Sequence, residues 1–259
     1  QGSGSTYVAG TLTVNTAGIG LNSTDAPVVS MSNGTAAVTA ATFDTTADAS
    51  KFTGSTEMAS VNSTGDVVFS NMVSTQAGSV QGNTAITNGN TTFGHKATAT
   101  SAAIAIEDGT TAGNITLTGA GLTSAAITST GEKNTVGTID VAAAKTVTID
   151  ATTNLTATQL DTTGTAGTLT VSGAGAVSIG SLDAGFETVN LAGNSGGVTA
   201  TMSTAIKTLT GGSGADTITT AAIAATSTVT GGEGNDLLIL GAATDLDDAA
   251  EAAKYSGFE

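Results

Sequence analysis

LTGGSGADTI begins at Leu209 and VTGGEGNDLL at Val229, so one frame, hydrophobic-Thr-Gly-Gly-x-Gly-x-Asp, recurs at an offset of twenty residues. The same offset continues outside the motif. Thr148, Thr168, Thr188, Thr208 and Thr228 are each twenty apart, and each is followed by an aliphatic residue: Ile149, Leu169, Val189, Leu209 and Val229. Neighbours on an extended strand point to opposite faces, so the aliphatic line turns inward while the threonines turn outward. Strands that recur with one polarity and no helix-period segment between them cannot be joined by βα crossovers. The pattern therefore predicts an all-β chain, a parallel β-solenoid (β-helix or β-roll) with coils of about twenty residues and little helix.

In such a winding each coil stacks its apolar residues on the next, about 4.8 Å away, and bonds its backbone to the coils above and below. A second inward line is predicted through Val198, Ile218 and Leu238, with Val177 and Ile179 flanking the equivalent place one coil earlier. Composition agrees with thin, repetitive layers. Aromatic residues make up 3% of the chain, Trp is absent, and the core must come from Ala, Val, Ile and Leu. Abundant Thr and Val favour strands, 35 glycines favour turns, and a single proline, Pro27, argues against a Pro-rich linker.

The twenty-residue grid is clear over 111–259 and fades over 1–110, where GTLTV and GDVVF, like GNITLTG just past that boundary, still read as strands between Gly, Asn, Asp and Ser turns. For 1–110 two readings stand, irregular coils of the same solenoid or a separate β-sandwich. DLDDAAEAAKY, near the end, is the one helical stretch, with Asp at its start and Lys254 in its last turn to complement the helix dipole. The closing AKYSGFE reads as the start of a further repeat unit, so the chain is expected to be truncated at 259.

The corner between the two inward lines reads SGAGA from Ser172, AGNSG from Ala192, GSGAD from Gly212 and GEGND from Gly232. Glycine suits it because a tight corner needs positive φ or close backbone approach. Only the last two coils end the corner in aspartate, at Asp216 and Asp236. Stacking these corners is expected to bring the two carboxylates and the backbone of Gly211, Gly212, Ser213, Gly214, Gly231, Gly232 and Gly234 around a small oxygen-lined space, with Glu233 at its rim. Two carboxylates so close repel unless a cation joins them. Ca2+ suits the site, taking 6–8 oxygens in flexible geometry, whereas Mg2+ demands an octahedron. Zinc is disfavoured without Cys and with His95 as the sole His. The cluster Asp245, Asp247, Asp248 and Glu251 is either a second, looser cation site or an acidic helix start in solvent.

GGSGADTIT and GGEGNDLLI resemble the RTX nonapeptide GGxGxDxUx of secreted bacterial proteins, whose β-rolls bind calcium. One departure is visible. The usual motif recurs every nine residues on both edges, but the partner edge here, TTAAIAATST, lacks it, so the resemblance implies one calcium site or a short row. DASKFTGSTEMASVNSTGDVVF from Asp48, the order GGEGNDLLIL, acidic stretch, SGFE, and the Arg-free, Thr/Ala/Gly/Val-rich composition are similar to RTX-type bacterial surface-layer (S-layer) proteins. That resemblance implies type I secretion, a calcium-dependent fold and self-assembly into a two-dimensional array at the extracellular surface of the cell.

Charge narrows the function further. Six lysines, no arginine and 21 acidic residues give a net charge of −15, which repels polyanions and excludes nucleic acid as a partner. No stretch reaches the roughly 18 apolar residues of a membrane span. Catalysis is not expected: Glu107 and Asp108 read as a turn before Gly109, and His95 has no visible Ser, Cys or carboxylate partner. The expected function is a secreted structural protein, a homo-oligomer in an array or filament with cell-surface polysaccharide as a further partner. The alternative is an RTX adhesin or biofilm-matrix segment, which should show long tandem copies or an aromatic sugar platform.

Overall fold

The computed structural model describes residues 12–14, 28–32, 34–42, 44–52, 54–242, 246–247 and 249–259. The chain is a parallel β-solenoid with two main faces, a sheet of 13 strands and a sheet of 12. Parallel pairing runs from strand Thr45–Asp48 to strand Leu237–Leu240 in the first, and from Thr35–Thr39 to Tyr255–Ser256 in the second. The first rung of each is covered by an antiparallel strand, Leu12–Val14 on Thr45–Asp48 and Val28–Ser32 on Thr35–Thr39. Antiparallel cover protects an edge that would otherwise template further strands.

Alternation drives each rung. In Thr146–Ala151 every second residue is buried, because Val147, Ile149 and Ala151 enter the interior while Thr146, Thr148 and Asp150 stay outside. Val147, Leu169, Val189, Leu209 and Val229 form one continuous buried column, each paired in register with the next. Each such side chain contributes about 1.5–3 kcal/mol by leaving water. Larger groups fill the early coils. Phe69 and Phe93 stack at 5.6 Å with planes 8° apart, both fully buried.

On the outer face of the 12-stranded sheet the same pairings write two outward columns, both polar from Thr146 and Thr148 onward. The first runs Ser101, Ser124, Thr146, Thr168, Thr188, Thr208, Thr228; the second runs Ala103, Ala126, Thr148, Thr170, Asn190, Thr210, Thr230.

The register corrects two lines read from the sequence. Thr148 pairs with Thr170, and it is Thr146 that pairs with Thr168, so the buried column passes through Val147 and not Ile149. That coil is 22 residues long, two more than the coils after it. In the 13-stranded sheet Ala200, not Val198, pairs with Ile218, because the offset there shrinks to 18. Val198 therefore lies beneath Asp216, and the column Leu155, Val177, Val198 continues into Asp216 and Asp236. The predicted helix contracts to Ala249–Ala252. Lys254 lies beyond it, and its Nζ is buried, donating to Ile223 O at 3.0 Å and to Glu251. The buried ammonium answers to the Ile223 carbonyl and the Glu251 carboxylate rather than to a helix dipole. Among the described residues no helix is long and apolar enough to cross a membrane.

Candidate metal centre

The two Gly-Gly corners immediately precede strands Thr217–Thr220 and Leu237–Leu240. Their glycines answer to close approach. A Cβ on Gly211 would stand 1.3 Å from Gly231 O, and one on Gly231 would stand 1.8 Å from Gly257 O. The backbone of each coil thus rests directly on the glycine below it. Only the upper corner also uses the left-handed region, at Gly232 (φ 112°) and Gly234 (φ 128°). Ser213 and Glu233 are exposed, while Gly212 and Gly214 are buried. Ser213 N–H donates to Asn194 O, and Glu233 N–H donates to Gly212 O at 2.9 Å. Glu233 reaches the corner through its backbone.

Asp216 and Asp236 are both 1% exposed. They occupy the inward column that earlier coils fill with Leu and Val, so each carboxylate is buried inside the corner. The two-residue slip in register accounts for this: aligned at constant spacing, Asp216 would sit over Gly196, but it stands over Val198. Asp216 Oδ1 accepts from Val198 N–H in the coil below (2.7 Å), and Oδ2 accepts from Gly212 N–H (2.9 Å). Asp236 Oδ1 accepts from Asp216 N–H at 2.8 Å, which ties the two corners together. Glu259, absent from the residues singled out in the sequence, adds a third rung by accepting from Asp236 N–H (2.8 Å). The signal lay in the closing GFE, one coil beyond GEGND.

The two corners differ in one atom. In the lower, Gly212 N–H fills Asp216 Oδ2; in the upper, Gly232 has turned to positive φ and Asp236 Oδ2 is buried with no hydrogen-bond partner. Burial raises the pKa of Asp216 above the usual carboxylate range, the N–H groups of Gly212 and Val198 pull it back, and the nearby Asp236 charge raises it again. An orphaned buried carboxylate oxygen beside a carboxylate that resists ionisation is a donor set that fits a hard cation. Three or more His, Cys, Asp or Glu side chains do not converge as metal ligands anywhere among the described residues.

Of the acidic cluster near the end, Glu251 pairs with Lys254 and Asp247 is exposed, while Asp245 and Asp248 lie outside the described residues. His95 ends strand Thr91–His95, buried, with Nδ1 3.1 Å from Phe93 O; burial lowers its pKa and the Phe93 carbonyl opposes this. Asp108 and Gly109 form the expected turn with φ of 60° and 76°, and Glu107 accepts from Gln81 (3.0 Å).

Two features were missed in the sequence. Asp140 pairs with Asp161, and the Leu160–Leu182 pairing sets Asp183 above them, so three coils stack aspartates in line. Burial, then the charges of Asp183 and Asp140, raise the pKa of Asp161. Spacings of 21 and 22 residues hid the column from a grid of constant period. The second is a ladder of exposed corner residues. Asp66 Oδ1, Asn90 Oδ1 and Asn114 Oδ1 accept from the N–H groups of Asn90, Asn114 and Thr138, each in the coil above (2.8–2.9 Å). Its sense is opposite to that of Asp216, Asp236 and Glu259, which accept from the coil below.

No family model, no curated protein and no solved structure matches this chain.

Proposed function

We propose that this chain is a secreted structural protein that self-assembles into a calcium-dependent array on the bacterial cell surface, as its resemblance to RTX-type surface-layer proteins implies. The observation that carries the reading is the unpartnered Oδ2 of buried Asp236, set in the second of two stacked Gly-Gly corners. A buried carboxylate oxygen without a partner costs several times an ordinary hydrogen bond. Ca2+ removes that cost. Asp236 and Asp216 would hold the ion, with Glu233 and Glu259 supplying charge nearby, and the ion would neutralise the carboxylates and pin the last coils together. Calcium-poor surroundings inside a cell leave these coils loose until export. The net charge of −15 keeps chains apart before assembly. Divalent ions then lower the repulsion between copies and toward acidic cell-surface polysaccharide. The reading assigns the chain no catalytic step.

Chelation followed by restoring calcium to about millimolar levels tests the proposal, with electron microscopy for arrays and thermal melting for the fold. Arrays should form only with calcium, and calcium at about a hundredfold over its Kd should stabilise the chain by about 2.7 kcal/mol. Both effects should vanish in the Asp216→Asn, Asp236→Asn double variant. Arrays that persist in chelator, or in the double variant, refute the mechanism.

A further inference from the structure

Among the described residues the outer face of the 12-stranded sheet repeats in register coil after coil, and the proposed corner site makes no use of it. From Thr146 to Thr230 its two columns repeat Thr-x-Thr in five successive coils, with Asn190 as the one replacement. Successive rungs lie about 4.8 Å apart and alternate residues of one strand about 6.7 Å apart, so the hydroxyls form a two-dimensional grid. Side chains between them point inward and are fully buried, which holds the grid rigid. Threonine adds stiffness, because its branched Cβ restricts χ1.

Three observations say what such a grid can meet. First, among the described residues none of the threonine hydroxyls in the two columns has a partner within the protein, whereas threonines at the corners, such as Thr110 and Thr162, are bonded. Second, although 27 residues of the chain are charged, the columns from Ser101 to Thr230 contain none of them; Asp150 flanks them, outward beside Thr148 on the same strand, and Lys207 and Glu187 pair with each other at the margin. Third, the patch is small. Seven rungs give about 29 Å of length and a width of about 10 Å, well below the roughly 800 Å² per partner of a stable protein interface. A neutral grid, periodic in two directions and too small to hold a second copy by area, is best used by a partner that is itself a neutral lattice with repeats of that size. Hexagonal ice has oxygen repeats comparable to both spacings.

We propose that this threonine face binds ice: the hydroxyls take lattice positions of surface water, and the methyl groups fill the hollows between them. The face needs no charge and no reorganisation, so the entropy of ordering side chains is already spent before contact.

The test uses the full chain in calcium-saturated buffer, so that a failure of the corner site cannot be mistaken for a failure of the face. Fluorescently labelled protein is partitioned into slowly growing ice, and ice recrystallisation is followed by microscopy. The wild-type chain should be enriched in the ice and should halt recrystallisation. Thr168→Tyr and Thr208→Tyr, at the centre of the grid and outward-facing, should lose both effects with unchanged melting. Thr199→Tyr, outward on the other sheet, should keep them. A folded wild-type chain rejected by ice like an ordinary solute overturns the proposal. So does equal loss in Thr199→Tyr, capture by crystalline cellulose or chitin but not by ice, or light scattering that shows a dimer broken by Thr168→Tyr.

Discussion

Gly211→Ala isolates the contact on which the last coils rest. Gly211 does not need a left-handed backbone, so in open space the added methyl would stabilise the chain by about 0.4–1 kcal/mol through the unfolded state. The new Cβ would instead fall 1.3 Å from Gly231 O, and reaching ordinary contact at 3.4 Å requires a shift of about 2 Å. A shift of that size breaks the bonds that cross this junction: Gly211 N–H to Thr230 O, Glu233 N–H to Gly212 O, Leu237 N–H to Asp216 O and Asp216 N–H to Asp236 Oδ1. At about 1 kcal/mol each they sum to about 4 kcal/mol, and the unfolded-state gain leaves a net loss of about 3 kcal/mol. Urea unfolding by circular dichroism measures the loss, and hydrogen exchange should place it in the coils after Thr208. Gly193→Ala is the control, since its Cβ would crowd only the Ser172 Cβ, at 3.1 Å, and would meet the Val171 carbonyl at an ordinary 3.6 Å, and its cost should stay below about 1 kcal/mol. A Gly211→Ala chain as stable as wild type, or equal loss at Gly193, would refute the claim that direct backbone contact fixes this corner.

Asp161→Asn should stabilise the chain at neutral pH by up to about 1 kcal/mol, the scale of a like-charge pair in a sheet. The sign follows from its raised folded pKa. Wild-type stability from this group is fully present below the unfolded value of 3.8 and is lost as pH rises through the folded value, so the variant's advantage should shrink toward pH 3 in melting curves. Phe93→Ala removes a stacked, fully buried ring and should cost about 3–5 kcal/mol by urea unfolding; Phe69→Ala added to it should cost about 0.5–1.5 kcal/mol less than it does alone, the worth of the shared stacking contact.

Local chemistry made most of the winding legible. Alternation in TLTV and TVNL marks strands with one wet and one dry face, and Leu169, Val189, Leu209 and Val229 do form the predicted buried line. Where the reading slipped, it slipped by assuming a constant coil length. A parallel ladder tolerates 18 or 22 residues between rungs, since turns absorb the difference while only strand residues need register. That tolerance moved Thr146 into the place given to Thr148 and brought Asp216 over Val198. The consequence for the candidate site is electrostatic: Asp216 on the inward column is buried, and burial raises its pKa, whereas an aspartate at the turn would be solvated. Glu259, and the aspartates at 140, 161 and 183, meet only in three dimensions. Lys254 departs from the helix pattern in DLDDAAEAAKY because its ammonium finds partners in three dimensions, the Ile223 carbonyl of an earlier coil and the Glu251 carboxylate.

The two corner ladders, pointing in opposite senses, set different rules for where a stack can stop. Among Asp66, Asn90 and Asn114 the group left waiting at an open top would be an exposed side-chain oxygen, which water satisfies at no cost. Between Asp216, Asp236 and Glu259 the waiting group is a backbone N–H over a buried column, and it is satisfied only by a carboxylate delivered from the next rung. The first ladder leaves its open group to water, and the second leaves a backbone N–H that needs a carboxylate from the coil above.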